Sequence, residues 1–117
     1  MEQEKFKELA GRWYESTHKV LELESPEANA ISKLFEETYF LIKEYSNEKL
    51  IPREICKVLW EMNDFTWWVC TVGDDSPLYS NYQEMIALTT ALNGYISTGI
   101  VDELDVRYNI EKLGGEV

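Results

Sequence analysis

A continuous helical pattern covers residues 52–72, which read PREICKVLWEMNDFTWWVCTV. Apolar residues recur there at steps of three and four, the spacing that places them on one face of an α-helix. That face consists of Ile55, Leu59, Met62, Thr66 and Val69. Trp60 and Trp67 add apolar surface on its flanks, so we expect this to be the most buried helix, in the middle of a helical assembly.

Two helices are predicted on the N-terminal side of this segment. The first covers about residues 2–23, and the second runs from Pro26 to Tyr45. Ser25 is a preferred N-cap residue, and proline suits the next position because its missing N–H costs no hydrogen bond there. The apolar stripes are Phe6, Leu9, Trp13, Thr17 and Val20 in the first helix, and Ile31, Leu34, Phe35, Thr38, Leu41, Ile42 and Tyr45 in the second. Each helix therefore has a face to bury.

A fourth helix and a less regular segment are predicted on the C-terminal side. Pro77 is expected to start the fourth helix and Gly99 to end it. The stripe of this helix is Leu78, Tyr82, Met85, Thr89, Leu92 and Ile96. Residues 100–117 mix the alternation of a strand with helical spacing, and we expect a short helix or an ordered tail. The chain is therefore predicted to be all-α: an antiparallel four-helix bundle with a short C-terminal helix or ordered tail, forming one domain over residues 1–117.

Composition and charge disfavour several classes of protein. The 117 residues are 44% hydrophobic, which indicates a globular domain. Their formal net charge of -11 argues against binding of nucleic acid or anionic membrane. No apolar run approaches the roughly 18 residues of a membrane span, and the acidic start of the chain does not resemble a signal peptide. Cys56 and Cys70 lie about 21 Å apart on one predicted helix, too far for a disulfide. Free thiols are typical of a reducing cytosol, so we expect a cytoplasmic protein.

Residues that could catalyse a reaction are few. The one histidine, His18, follows Glu15 by three residues, the spacing of a ligand pair in di-iron helical bundles. Such a site needs a second Glu-x-x-His pair, and the chain has no second histidine. His18 is therefore interpreted as a solvent-exposed side chain. The chain contains no nucleophile elbow, phosphate-binding loop or His-Glu-x-x-His motif. We therefore expect neither catalytic residues nor a cofactor.

Residues 61–68, EMNDFTWW, contain a Glu-x-x-Asp step followed by an aromatic pair. This segment resembles a motif of MazG-like nucleoside triphosphate pyrophosphohydrolases, all-α enzymes in which helix carboxylates hold magnesium against the substrate's phosphates. The resemblance implies a magnesium site formed by Glu36, Glu37, Glu61 and Asp64. Phe40 stands where the family has a third upstream acidic residue, and a phenyl ring offers magnesium no oxygen ligand. An active enzyme of this kind, or a degenerate relative, is thus an alternative function.

Charge is distributed unevenly along the chain. Residues 1–50 contain seven basic and eleven acidic side chains, whereas residues 51–117 contain four basic and eleven acidic ones. No Lys or Arg lies between Lys57 and Arg107. Acidic helices without compensating cations lose some stability, and one physical reason to retain them is a cationic partner.

The same part of the chain is rich in Trp and Tyr, which dominate the energetics of protein interfaces. Trp67 and Trp68 differ by about 100° around a helix and cannot share one core stripe, so Trp68, in line with acidic residues, is predicted to be exposed. The predicted partner-binding residues are Trp60, Glu61, Asp64, Trp67, Trp68, Asp74, Asp75, Tyr79, Tyr82 and Glu84.

These patterns favour a non-enzymatic acidic protein that occludes a basic surface of a protein partner, without binding nucleic acid or membrane directly. Two kinds of protein fit that chemistry: an immunity protein that neutralises a toxin, and a phage inhibitor that imitates nucleic acid, such as an anti-CRISPR. The alternatives are the magnesium-dependent pyrophosphohydrolase and a structural or regulatory protein that forms a homodimer.

Overall fold

The fold is all-α, as predicted, and no strand occurs among the residues that the structure describes. The computed structural model describes residues 2–22, 28–45, 52–72 and 81–114. The helices are α1 (Glu2–Leu21), α2 (Ala28–Glu44), α3 (Arg53–Val72), α4 (Tyr82–Thr98) and α5 (Glu103–Lys112). The predicted helix starts at Pro26 and Pro77 lie outside the described residues.

The C-terminal segment is helical because both of its boundaries suit a helix. Gly99 ends α4 in the left-handed conformation, with φ of 76°, and its N–H donates to the carbonyl oxygen of Tyr95 at 2.8 Å. Asp102 then caps α5, since its Oδ1 accepts the N–H of Asp105 at 3.1 Å. Val106 and Ile110, one turn apart, are buried. The helical spacing therefore prevails over the strand-like alternation.

Trp13 lies at the centre of the core, where three helices meet. Its side chain is fully buried, and its ring centroid is 4.9 Å from that of Phe35 on α2 and 5.4 Å from that of Phe65 on α3. The indole Nε1 donates to Oγ1 of Thr38 at 3.0 Å, and Thr38 in turn donates to the carbonyl oxygen of Leu34 at 2.7 Å. The one polar atom of this large side chain is thus satisfied inside the core.

The most extensive helix pairing is between α1 and α3, which are not consecutive in the chain. Contacts show that α3 and α4 run antiparallel, because Asn63 lies opposite Asn93 while Thr66 lies opposite Thr89. A simple up-and-down bundle would instead pack consecutive helices most closely. The all-helical class is therefore established, and the four-helix bundle arrangement stays a prediction.

Two expectations about burial are wrong. The predicted core of α3 is buried, including Leu59 and Met62, but the flanks of this helix are not. Trp60 and Trp67 are 71% and 57% exposed and do not fill the core. The reason is that α3 packs on α1 and on α4, which cover two of its sides and leave the third to solvent. In α4, Ile96 of the predicted stripe is likewise exposed.

Candidate functional site

The outer side of α3 carries five of the predicted partner-binding residues. Trp60, Asp64 and Trp67 follow one another at steps of four and three residues and so form one line along the helix. Glu61 and Trp68, seven residues apart, form a neighbouring line. We call these five residues the α3 face.

Two of the three predicted indoles of the α3 face are available to a partner. Trp60 and Trp67 are the exposed pair, whereas Trp68 is half-buried and packs against the core. Trp67 meets Trp68 edge to face, with ring centroids 4.7 Å apart. The prediction of an exposed Trp68 is therefore wrong, because the neighbouring helices cover the side of α3 on which it lies.

The carboxylates of the α3 face lack a close cation among the described residues. No ion pair in that part of the chain includes Glu61 or Asp64. Partial burial raises the pKa of Glu61, the negative charge of Asp64 raises it further, and Lys57 opposes this shift. The ionised form of Glu61 is therefore held in an unfavourable environment.

Other acidic residues of the cation-poor stretch have partners that the sequence does not reveal. Glu103 forms an ion pair with Lys43 on α2, with 2.9 Å between Oε1 of Glu103 and Nζ of Lys43. This contact lowers the pKa of Glu103. The charge of Glu84 acts on Lys112 of α5 and helps to raise its pKa, after the larger effect of Tyr108. The gap in cations along the sequence is thus partly filled in space, but Asp102 and Asp105, like Glu61 and Asp64, form no ion pair with another described residue, and Oε2 of Glu84 is buried without a hydrogen-bond partner among them.

Of the remaining predicted binding residues, Glu84 and Tyr82 are described, and neither is brought to the α3 face. Glu84 lies about 140° around α4 from Thr89, which contacts α3, and so points toward α5. Tyr82 is half-buried against the core. Asp74, Asp75 and Tyr79 lie outside the described residues.

The four carboxylates implied by the pyrophosphohydrolase resemblance are not assembled into one site. Glu37 is engaged with Arg12 of α1, at 2.6 Å between Oε2 and Nη2, and Phe40 is partly exposed nearby on α2. Within the described ranges, no three His, Cys, Asp or Glu side chains lie close enough to share a metal ion. Glu61 and Asp64 therefore form a pair on α3 that Glu36 and Glu37 do not join.

Sequence reasoning missed Asn63, which joins α3 to α4 beside the α3 face. Its Nδ2 donates to Oδ1 of Asn93 at 2.9 Å, and Nδ2 of Asn93 donates back to Oδ1 of Asn63 at 2.7 Å. A second bond from Asn63 Nδ2 reaches the carbonyl oxygen of Leu59 at 2.7 Å. A paired asparagine between two helices fixes their register, so it also fixes the direction in which Trp60 and Trp67 project. The available signal was one asparagine in each of the two helices.

His18 and both cysteines agree with the interpretation made from the sequence. His18 is exposed and its ring lies edge-on to that of Tyr14, 4.5 Å between centroids. Cys56 is exposed, Cys70 is half-buried, and both are free thiols. Burial raises the pKa of Cys70. In the part of the chain described, none of the helices has the length and apolar character needed to cross a bilayer.

The fold and this surface define an all-helical protein with an acidic and aromatic face on one helix. Neither a family model, nor a curated protein, nor a solved structure matches the chain. The function is therefore argued from the α3 face itself.

Glu61→Gln is expected to stabilise the protein at neutral pH. Because the folded-state pKa of Glu61 is raised, its ionised form opposes folding above that pKa, and this penalty is absent once the pH falls below the ordinary glutamate value of about 4.3. Urea unfolding should show a higher midpoint for the variant at pH 7 and no difference between the two midpoints at about pH 3.5.

The control for Glu61→Gln is Glu15→Gln, which removes the same charge from an exposed position on α1. Glu15→Gln measures how much the protein is stabilised by the loss of one negative charge alone. Its urea midpoint should therefore rise less than that of Glu61→Gln. Equal gains from the two variants would show that Glu61 experiences no local penalty.

Proposed function

We propose that the chain is a non-enzymatic binding protein whose α3 face docks on a cationic surface of a protein partner. The observation that carries this proposal is the presence of two carboxylates without an ion pair, Glu61 and Asp64, beside two exposed indoles, Trp60 and Trp67.

The chemistry of the α3 face suits arginine and lysine side chains. A guanidinium over an indole face gains about 0.5–2 kcal/mol, and its charge can at the same time reach a carboxylate one helical turn away. Glu61 already bears part of the cost of desolvation, as its raised pKa indicates. A cation that pairs with Glu61 offsets part of that cost.

Rigidity also supports a binding role. Trp60 and Trp67 project from one helix whose opposite side is anchored by buried residues, including Leu59 and Met62. Side chains on a fixed helix lose little further entropy when a partner arrives, and Trp is enriched among residues that dominate interface energetics. The partner classes that fit are a toxin with a basic cleft, neutralised in the cytoplasm, and a nucleic-acid-binding protein that a phage inhibitor blocks.

Binding of an oligo-arginine peptide, measured by calorimetry, tests the proposal. We expect binding that weakens as salt is added, because charges at a surface are screened beyond about 8–10 Å at 0.1–0.15 M ionic strength. The double variant Glu61→Gln/Asp64→Asn should bind on the order of tenfold more weakly, as expected for a loss of about 1.4 kcal/mol. Trp60→Ala/Trp67→Ala should weaken binding by a similar factor through the loss of cation–π contact.

The matched control is Glu15→Gln/Glu22→Gln, which removes two exposed carboxylates from α1 and its end. It makes the net charge less negative by the same amount as Glu61→Gln/Asp64→Asn. Equal weakening by the two double variants would mean that the peptide responds to net charge alone, and the proposal would then be wrong.

A further inference from the structure

A groove opens to solvent between α1 and α2, and it shares no residue with the α3 face. It runs from Lys5 to Arg12 along α1 and from Glu44 to Glu37 along α2, and it encloses about 320 Å³. A separation of seven residues on a helix corresponds to about 10.5 Å. We call this feature the α1–α2 groove. Its volume falls within the range of pockets that bind small ligands, which begins at about 300 Å³.

The floor of the α1–α2 groove is apolar and belongs to the core. Large rings from the two antiparallel helices meet near both ends of the groove. The two ring pairs, with centroids 5.8 and 4.9 Å apart, are Phe6–Tyr45 and Trp13–Phe35. Leu9 and Leu41 lie between these pairs, and both are buried side chains that line the groove without filling it. Because core packing fixes both leucines, the floor exists before any ligand arrives.

An ion pair between the two helices closes one end of the groove. Nη2 of Arg12 donates to Oε2 of Glu37 at 2.6 Å, and this hydrogen bond raises the pKa of Arg12. Each of these two charges is therefore already compensated. Phe40, which also lines the groove, is 43% exposed and offers an aromatic ring to a ligand. A groove about 10 Å long that is closed at one end suits a small molecule better than a helix or strand of another protein.

The opposite end of the groove presents one cation and one carboxylate that do not pair. Lys5 on α1 and Glu44 on α2 are both exposed, and neither forms an ion pair with another described residue. Glu8, which also lines the groove, lies 3.8 Å from Arg12 and is partly compensated by it. A ligand with only an ammonium group is repelled by Lys5, and a ligand with only a carboxylate is repelled by Glu44. A ligand that carries both groups meets an opposite charge on each helix.

We infer that the α1–α2 groove binds a small zwitterion with an apolar body, of the class of free apolar α-amino acids. The carboxylate of the ligand pairs with Lys5, and its ammonium group pairs with Glu44. Its side chain lies on Leu9 and Leu41 and covers the exposed part of Phe40, which removes apolar surface from water. This inference does not rest on the function proposed for the α3 face, because the two sites share no residue.

The experiment is a nuclear magnetic resonance titration of the isotope-labelled chain with L-phenylalanine. We expect saturable shifts of the Leu9 and Leu41 amides, with a dissociation constant on the order of 1 mM for a ligand of this size. Three probes each lack one part of the ligand: L-phenylalanine amide lacks the carboxylate, N-acetyl-L-phenylalanine lacks the ammonium group, and glycine lacks the apolar body. Each of them should bind at least tenfold more weakly than L-phenylalanine.

Variants of the protein assign each charge of the ligand to its partner. Lys5→Gln and Glu44→Gln should each weaken binding of L-phenylalanine about tenfold, the loss of about 1.4 kcal/mol. Lys5→Gln should not weaken binding of the amide, and Glu44→Gln should not weaken binding of the N-acetyl derivative, because each probe lacks the group that the variant leaves unpaired. The controls are Lys19→Gln and Glu15→Gln, at exposed positions of α1 outside the groove, and they should leave binding unchanged.

Three results would each overturn the inference. The first is the absence of saturable shifts in the groove with L-phenylalanine. The second is equal binding of L-phenylalanine and the three probes. The third is that the control variants weaken binding as much as Lys5→Gln and Glu44→Gln do.

Discussion

Trp13→Ala is expected to lower the free energy of unfolding by about 3–5 kcal/mol. The side chain is fully buried between α1, α2 and α3, so its removal leaves a cavity that rings from two other helices line. The variant also leaves Thr38 without the indole donor. Since small domains have only about 5–15 kcal/mol of stability, the change should be visible as a large fall in the urea midpoint, followed by far-UV circular dichroism.

Trp60→Ala is the matched control for Trp13→Ala, because it removes the same atoms from a side chain that is largely exposed. Its effect on the free energy of unfolding should stay within about 0.5 kcal/mol. A destabilisation by Trp60→Ala comparable to that of Trp13→Ala would mean that the α3 face is covered in solution.

Leu59→Ala is expected to cost about 2–5 kcal/mol, the second-largest effect. Leu59 is buried in α3, next in sequence to the exposed Trp60, so the two positions, about 100° apart around the helix, report on its buried and its exposed side. Urea unfolding again measures the change.

Leu104→Ala makes the same chemical change at the start of α5, where the side chain is 83% exposed. It should alter the free energy of unfolding by less than about 0.5 kcal/mol. If Leu104→Ala proved as costly as Leu59→Ala, the burial pattern described for these helices would be incorrect.

Helical spacing was sufficient to identify much of the core. The stripes predicted for α1 and α2 are buried apart from the half-buried Tyr45, with Trp13 and Phe35 at their centre, because amphipathic periodicity marks the side of a helix that must leave water. Helical spacing identified the buried side chains of α4 less well, because the predicted stripe includes the exposed Ile96 but omits the buried Leu88 and Tyr95. When a helix is apolar on nearly all sides, the spacing of its apolar residues does not distinguish the buried side from the exposed one.

The candidate site was predicted only in part. That α3 would present carboxylates and indoles together followed from the residue types, but the exposed indoles are Trp60 and Trp67, not Trp68. Side chains on the flanks of an apolar stripe are buried or exposed according to which neighbouring helix covers them. That choice depends on contacts between residues distant in sequence, such as the Asn63–Asn93 pair.

The sequence by itself determined that the chain is helical and which side chains form much of its core, because both properties arise from local spacing and propensity. The tertiary structure decided that α1 pairs most extensively with α3, and that Lys43 neutralises Glu103 across the fold. It also decided that Glu61 and Asp64 stand without an ion pair among the described residues. Coulomb interactions act through space and not along the chain, so the uncompensated charge could be located only after the helices were placed together.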